Sequence, residues 1–217
     1  LIALGGAIIP SNEVIIQDGK IRRRKTKQPM FVGVQIIEYL RSFTSWRTGW
    51  SYLDGLLIIG GALTIFNKQA VIKVGGYRKD SICEDFELIL TLHDYYINHG
   101  LPYHIWTIPD VICWTRVPIT RTQLKTQRIR WMWGALQSLS WHRNLAFTLK
   151  SPMIGWFSFP HLIFIETFAP IIEFIGHICF VLAVVYGLLS YPSLLIFGLL
   201  VYLITGFYSW YSLAIND

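Results

Sequence analysis

Two groups of residues in this chain could do chemistry. One is the acidic pair Glu84-Asp85; the other is Gln127-Arg128-Ile129-Arg130-Trp131 further along. Gln127, Arg130, Trp131 and Gly134 fall at i, i+3, i+4 and i+7, so a helix here would carry them on one face. Arginine offers a rigid fork of donors that matches phosphate oxygens. The indole beside it is a flat apolar platform on which a sugar ring can lie, and Gly134 allows a close approach to the helix backbone. Acids in the first turn of a helix complement its dipole. Glu84 is expected to complete a capping box with Ser81. Asp85, one position on, is then free to point elsewhere as a general base. A plainer account competes with this one. In it the tryptophans Trp131, Trp133 and Trp141 sit at lipid headgroup level, the arginines touch lipid phosphate, and the two acids serve only the helix dipole.

Composition narrows the surroundings of these groups. Of 217 residues, 53% are apolar and only 15% charged, with a net charge of +6. Nearly all lysine and arginine precedes Ser151, while Phe174 to Ile215 contains no Asp, Glu, Lys or Arg. The chain therefore divides into a basic globular part, residues 1–150, and an apolar part, residues 151–217, expected to form an interfacial segment and two membrane helices. No zinc spacing, recognition-helix pattern or RNA-binding aromatic signature accompanies the charge, which argues against nucleic acid. Anionic lipid headgroups and a phosphate-bearing substrate both fit it. Cys83, Cys113 and Cys179 match no metal or redox spacing and read as reduced, buried thiols. His93, His99 and His104 show no metal-ligand spacing.

The elements that must position the chemistry follow from periodicity and turn signals. Ile2 to Ile16 reads as two short strands around a Gly5-Gly6 turn, and Lys20 to Lys27 as a basic loop. Phe31 to Tyr52 has helical spacing and suits either the membrane interface or the globular core. A strand at Leu63 to Phe66 precedes a short helix, Lys68 to Val74, that stops at Gly75-Gly76. A helix over Ser81 to His99, strands at Tyr103 to Ile108 and Val111 to Thr115, and a long helix from Arg121 to His142 complete an α/β pattern. In the tail, Phe164 to Leu189 and Leu194 to Ile215 are each long enough for a bilayer core of about 30 Å at about 1.5 Å per residue. The cationic residues before the first span place the globular part on the cytosolic side.

Taken together, Glu84-Asp85 and Gln127-x-x-Arg130-Trp131 resemble the paired signature of processive, membrane-bound family-2 glycosyltransferases. That group includes cellulose, hyaluronan, chitin and poly-N-acetylglucosamine synthases. Ser11-Asn12, Gln35-x-x-Glu38-Tyr39, Gly61-Ala62, Val74-Gly75-Gly76-Tyr77 and Trp114-Thr115-Arg116-Val117-Pro118 agree with it. The resemblance implies the C-terminal part of a GT-A-type nucleotide-sugar transferase domain followed by transmembrane helices. It implies Asp85 as catalytic base and substrate contacts from Glu84, Gln127, Arg128, Arg130 and Trp131. It implies a nucleotide-sugar donor, a polysaccharide or lipid-linked acceptor, contact with membrane lipid, and integral placement in a plasma or inner membrane with the catalytic part cytosolic. The family also uses an upstream Asp-x-Asp to hold a divalent metal, Mg²⁺ or Mn²⁺. The chain contains no such motif, and Cys83 stands where threonine is usual. Leu1 opens in mid-strand, so the chain is expected to be a fragment that is inactive alone, with no metal ligands of its own. Two other readings stay open: a non-processive transferase acting on a lipid-linked acceptor, and a non-catalytic, membrane-anchored lipid-binding protein.

Overall fold

The computed structural model describes residues 1–12, 14–17, 20–24 and 30–214. Its centre is a three-stranded mixed sheet in the order β4-β1-β5, built from β1 (Ala3–Pro10), β4 (Thr64–Phe66) and β5 (Ile105–Thr115). A separate hairpin pairs β2 (Val14–Gln17) with β3 (Lys20–Arg24). Helix α1 (Met30–Leu40) continues through a π-helical stretch, Arg41–Trp46, into α2 (Arg47–Tyr52). Helices α3 (Lys68–Lys73), α4 (Glu84–Asn98) and α5 (Arg121–Trp141) complete the globular part.

The helix boundaries match the periodicity closely, whereas the strands required corrections. The expected turn at Gly5-Gly6 is absent, and β1 runs straight through both glycines. It pairs with β4 on one side and β5 on the other, and Gly5 packs so tightly on Ile59 that no side chain fits there. The two strands expected between Tyr103 and Thr115 are a single strand. Its register slips between Gly6↔Ile108 and Ala7↔Val111, which places Pro109-Asp110 in a bulge. Proline has no N–H to give a ladder, so a bulge is where a strand tolerates it. The basic loop begins as strand β3; Lys25 to Lys27 lie outside the described residues.

Helix α4 is the central element, because it is buried on two sides. Leu88, Ile89, Leu92 and Tyr96 pack with Ile2, Leu56, Ile59 and Ile105. Phe86, Leu90 and Ile97 pack with Leu57, Leu139, Ile154, Phe159 and Leu162. The second cluster draws the segment after Ser151 into the core. In Phe31 to Tyr52, Val32, Leu40 and Phe43 are buried in the globular core, while Phe31, Val34, Trp46 and Tyr52 are exposed.

Beyond the core, α6 (Phe159–His161) lies between two π-helical stretches, Met153–Ser158 and Leu162–Thr167. Helices α7 (Ala169–Val185) and α8 (Tyr191–Ala214) follow. Among the described residues one helix, Tyr191–Tyr211, is long and apolar enough by itself to cross a membrane. The expected first span is broken at Phe168: Met153–Thr167 and Ala169–Val185 meet at 58°. Pro170 in the first turn of α7 fits a fresh helix start there, since proline cannot continue the preceding hydrogen-bond ladder. None of the three cysteines is fully buried as expected: Cys83 and Cys113 are half-buried and Cys179 is exposed on α7, and all three are free thiols. The Arg41 guanidinium lies 4.4 Å from the Tyr208 ring, so α8 returns its far end to the globular part.

A buried hydrogen-bonded histidine tethers α4. Its Nε2 donates to the Leu56 carbonyl at 2.9 Å, and its Nδ1 accepts from the Tyr103 hydroxyl at 2.6 Å. Both nitrogens being engaged in this tautomer, burial pushes the His93 pKa down to about 4, partly offset by the Leu56 carbonyl. The unfolded chain therefore binds a proton that the folded state refuses. This contribution to stability is complete above the ordinary value of 6.5 and is lost as the pH falls toward about 4. Thermal melts across that window should show a falling midpoint, and His93→Gln should flatten the slope.

Candidate active site

The site is built where the start of α4 meets the middle of α5. Cys83, not Ser81, is the N-cap residue of α4, and it makes no side-chain cap. The Ser81 hydroxyl is buried without a hydrogen-bond partner, so the expected capping box does not form. Glu84, Asp85 and Glu87 all lie in the first turn and complement the dipole. Glu84 is exposed and Asp85 half-buried. One carboxylate oxygen of Asp85 accepts from the Phe86 N–H at 2.9 Å. The other faces Gly61: a Cβ there would come within 2.9 Å of the Asp85 Cγ. Gly61 is thus one wall of the carboxylate's space.

Helix α5 is capped by Thr120, whose hydroxyl accepts from the Gln123 N–H. The row Arg130, Gly134, Gln137, Trp141 docks on the segment Arg78 to Cys83 that leads into α4. The Cys83 thiol donates to the Arg130 carbonyl at 3.8 Å. A Cβ on Gly134 would lie 2.7 Å from the Cys83 Cβ, so the bare glycine is what lets the two helices close. Gln137 accepts from the Ile82 N–H at 2.9 Å and donates to the Asp80 carbonyl at 3.2 Å. Arg78 lies 3.8 Å over the Trp141 ring. At the far end of the seam, Glu87 accepts from Thr91 at 2.7 Å and lies 3.2 Å from His142 Nε2.

The structure therefore brings the Cys83-Glu84-Asp85 turn against the segment carrying Gln127, Arg130 and Trp131. The Gln127 carbonyl oxygen is buried without a protein partner, an acceptor left for a donor from elsewhere. The Arg130 side chain is exposed and forms no ion pair among the described residues. Trp131 is half-buried, with the Arg128 guanidinium 4.9 Å from its ring. Arg128, expected to contact substrate, is paired with Glu38. Its two terminal nitrogens reach the two Glu38 oxygens at 2.6 and 2.5 Å, clamping α5 to α1. Gln35 on α1 donates to the Pro118 carbonyl at 2.8 Å, and Asn12 exchanges two hydrogen bonds with Val117. The segment leading into α5 is thereby fixed to the end of β1.

Electrostatics at this junction favour an intact thiol. Burial, with help from the Asp85 charge, raises the Cys83 pKa, and Arg130 opposes the rise. Burial also raises the Tyr77 hydroxyl, with smaller contributions from Asp85 and Glu84. Sequence reasoning missed Gly61 as a wall and Gln137 as a clamp. The signal for Gln137 was available, since it continues the helical row of Arg130 and Gly134.

The chain belongs to the glycosyl transferase family group 2, whose family model matches residues 22–211. This makes the sheet and its helices part of a GT-A α/β fold. Among curated proteins, the chain is similar to the poly-beta-1,6-N-acetyl-D-glucosamine synthase of Staphylococcus aureus (strain COL). It is 31% identical over 129 residues, covering 59% of this chain and 29% of that protein. The synthase of the same name from Staphylococcus epidermidis is 30% identical over 135 residues, covering 61% of this chain and 30% of that protein. The chain thus spans about 30% of the length of these relatives. Family members commonly use a divalent metal. Among the described residues no group of three or more His, Cys, Asp or Glu side chains could hold one.

Gly61→Ala in the complete protein should push Asp85 aside. A displacement of about 1 Å at a reacting group can lower turnover on the order of 10²-fold. Gly61 is exposed, so the melting temperature should stay close to wild type; a variant with full activity would show that Gly61 does not shape the site.

Proposed function

We propose that this chain carries the acceptor and base side of an inverting glycosyltransferase that extends a polysaccharide from a nucleotide-diphosphate sugar. The observation that carries the reading is the junction of α4 and α5, where the Cys83 thiol meets Gly134 and the Arg130 carbonyl. It sets Asp85 next to the segment of Arg130 and Trp131. In this reading the acceptor sugar stacks on Trp131. Asp85 takes the acceptor hydroxyl proton as that oxygen bonds to the donor's anomeric carbon. The bond from that carbon to the diphosphate breaks on the opposite side, so the configuration inverts and a nucleoside diphosphate leaves. The leaving group gains charge as the bond breaks, and the exposed Arg130 stabilises that charge more in the transition state than in the ground state. Gln127 supplies an acceptor to a ligand donor, and Glu84 borders the same space. The donor's divalent metal would be held by ligands other than the described residues, and no step here depends on it.

The names of the relatives support a polysaccharide product and hence repeated addition. The apolar, exposed surfaces of α7 and α8 support residence in a plasma or inner membrane, with residues 1–150 as the cytosolic catalytic part and residues 151–217 as the membrane part.

Assays on the complete protein test each role. Asp85→Asn should lower turnover by about 10²–10⁴-fold while nucleotide-sugar binding stays near wild type; full turnover would remove Asp85 as the base. Trp131→Ala should raise the acceptor KM more than the donor KM, and the opposite pattern would contradict stacking. Product sizing separates a polymerase, which makes long chains, from an enzyme that adds one sugar.

A further inference from the structure

A polar stripe runs along α4, and the reaction above does not use it. Glu87, Thr91, Asp94 and Asn98 fall at i, i+4, i+7 and i+11, so they share one face of the helix. The stripe begins in the first turn of α4, two residues after Asp85. Glu87 is buried, as is His142, the C-cap residue of α5 that faces it; Asp94 is half-buried. Buried polar groups are costly unless each finds a partner.

The Thr91 hydroxyl donates to Glu87 Oε1 at 2.7 Å, which uses its single proton. His142 Nε2 lies 3.2 Å from the same carboxylate oxygen and 3.3 Å from the Thr91 oxygen. Both oxygens can then only accept from the ring, so Nε2 carries a proton. The other ring nitrogen, Nδ1, is buried without a hydrogen-bond partner and lies 3.7 Å from Asp94 Oδ2. With Nδ1 bare, its lone pair faces a carboxylate. With Nδ1 protonated, the ring is a cation between two carboxylates, and the dipole favours a positive charge at the C-terminal end of α5. Burial pushes the Glu87 pKa up, but the hydrogen bonds from His142 and Thr91 and the charges of His142 and Arg78 bring it below its ordinary value. The charged groups around the ring are Glu87 and Asp94 on α4, Arg78 stacked on the neighbouring Trp141, and the exposed Arg143. Asn98 and Asn144 both donate to Asp94 Oδ1, and Lys150 donates to Asn98 at 3.1 Å.

This cluster bears on the site because α4 and α5 carry its two halves. Leu139 packs with Phe86 and Leu90 between the helices, but apolar burial is non-directional. The Cys83–Gly134 contact fixes one point of approach, and His142 supplies a directional contact at the other end of the seam.

We propose that His142, as an imidazolium bridging Glu87 and Asp94, is a positioning residue that holds the first turn of α4 against α5 and keeps Asp85 aligned with Arg130 and Trp131. The role rests on the transfer reading, in which Asp85 is the base. Histidine side chains ordinarily change charge between about pH 5 and 8, so the bridge is complete at the acid end of that range and opens toward the alkaline end.

The test compares the complete wild-type protein with His142→Gln and Asp94→Asn in lipid nanodiscs. The donor probe is UDP-N-acetylglucosamine and the acceptor is a short β-1,6-linked N-acetylglucosamine oligosaccharide. His142→Gln can still donate to Glu87 but carries no charge, and Asp94→Asn removes one end of the bridge at a half-exposed position. The ratio of wild-type to variant kcat cancels the titration of Asp85 itself. That ratio should be about tenfold near the acid end of the range and close to one at the alkaline end, with both KM values within about twofold of wild type. A ratio that does not change with pH, or wild-type kcat in Asp94→Asn, overturns the bridge. So does a loss that only follows a smaller folded fraction or an equal rise in both KM values, which would make His142 part of the fold. If His142→Gln does not fold, Asp94→Asn decides the matter alone. Failure of the transfer reading has a separate signature, full turnover in Asp85→Asn.

Discussion

The contact on which the site depends is that of Cys83 with Gly134. Two helix backbones come together there because one residue has no side chain and the other has a small one. The chemically interesting groups lie within four residues of that contact: Glu84 and Asp85 on one side, Arg130 and Trp131 on the other. A thiol whose pKa is raised by burial stays protonated at neutral pH. It can therefore donate to the Arg130 carbonyl without adding a charge beside Asp85. Threonine, which the family usually carries at this position, would also be small and would also donate, so the seam tolerates the exchange.

The arginines divide into clamps and groups left for chemistry. Arg128 is bound at both nitrogens by Glu38, a two-pronged geometry that fixes orientation as well as distance. Arg78 is held over Trp141 at the other end of the same helix. With these two contacts holding α5, Arg130 stays exposed and forms no ion pair among the described residues. In the proposed reaction, a cation held in place beforehand would stabilise the developing charge without reorganisation. Arg47 belongs to neither group, being half-buried with its Nη1 enclosed and without a protein partner among the described residues.

The helical half of the fold was readable because its signals are local. The limits of α3 and α5 and the break at Gly75-Gly76 each arise from signals within a few residues of chain. The sheet was harder. Gly5-Gly6 has the composition of a turn, but pairing on both edges holds β1 extended, and those partners are distant in sequence. Pro109 likewise suggested two strands, while the long parallel pairing with β1 accommodates it in a bulge. The Ser81 cap failed for a related reason: Gln137, far along the chain, ties down the Ile82 N–H and the Asp80 carbonyl and so sets the path of the turn.

Residue order alone determined which side chains could act: an acid pair at a helix start, and Gln127, Arg130, Trp131 and Gly134 at helical spacing. It also determined the apolar tail, since those properties depend only on residue type and periodicity. Tertiary structure decided how the groups are used. It paired Arg128 with Glu38, set Gly61 against Asp85, broke the first apolar stretch at Phe168, and left Arg47 and Glu166 around a common cavity. Each of these outcomes depends on which surfaces meet across large sequence separations, and the packing of the whole core selects that pairing.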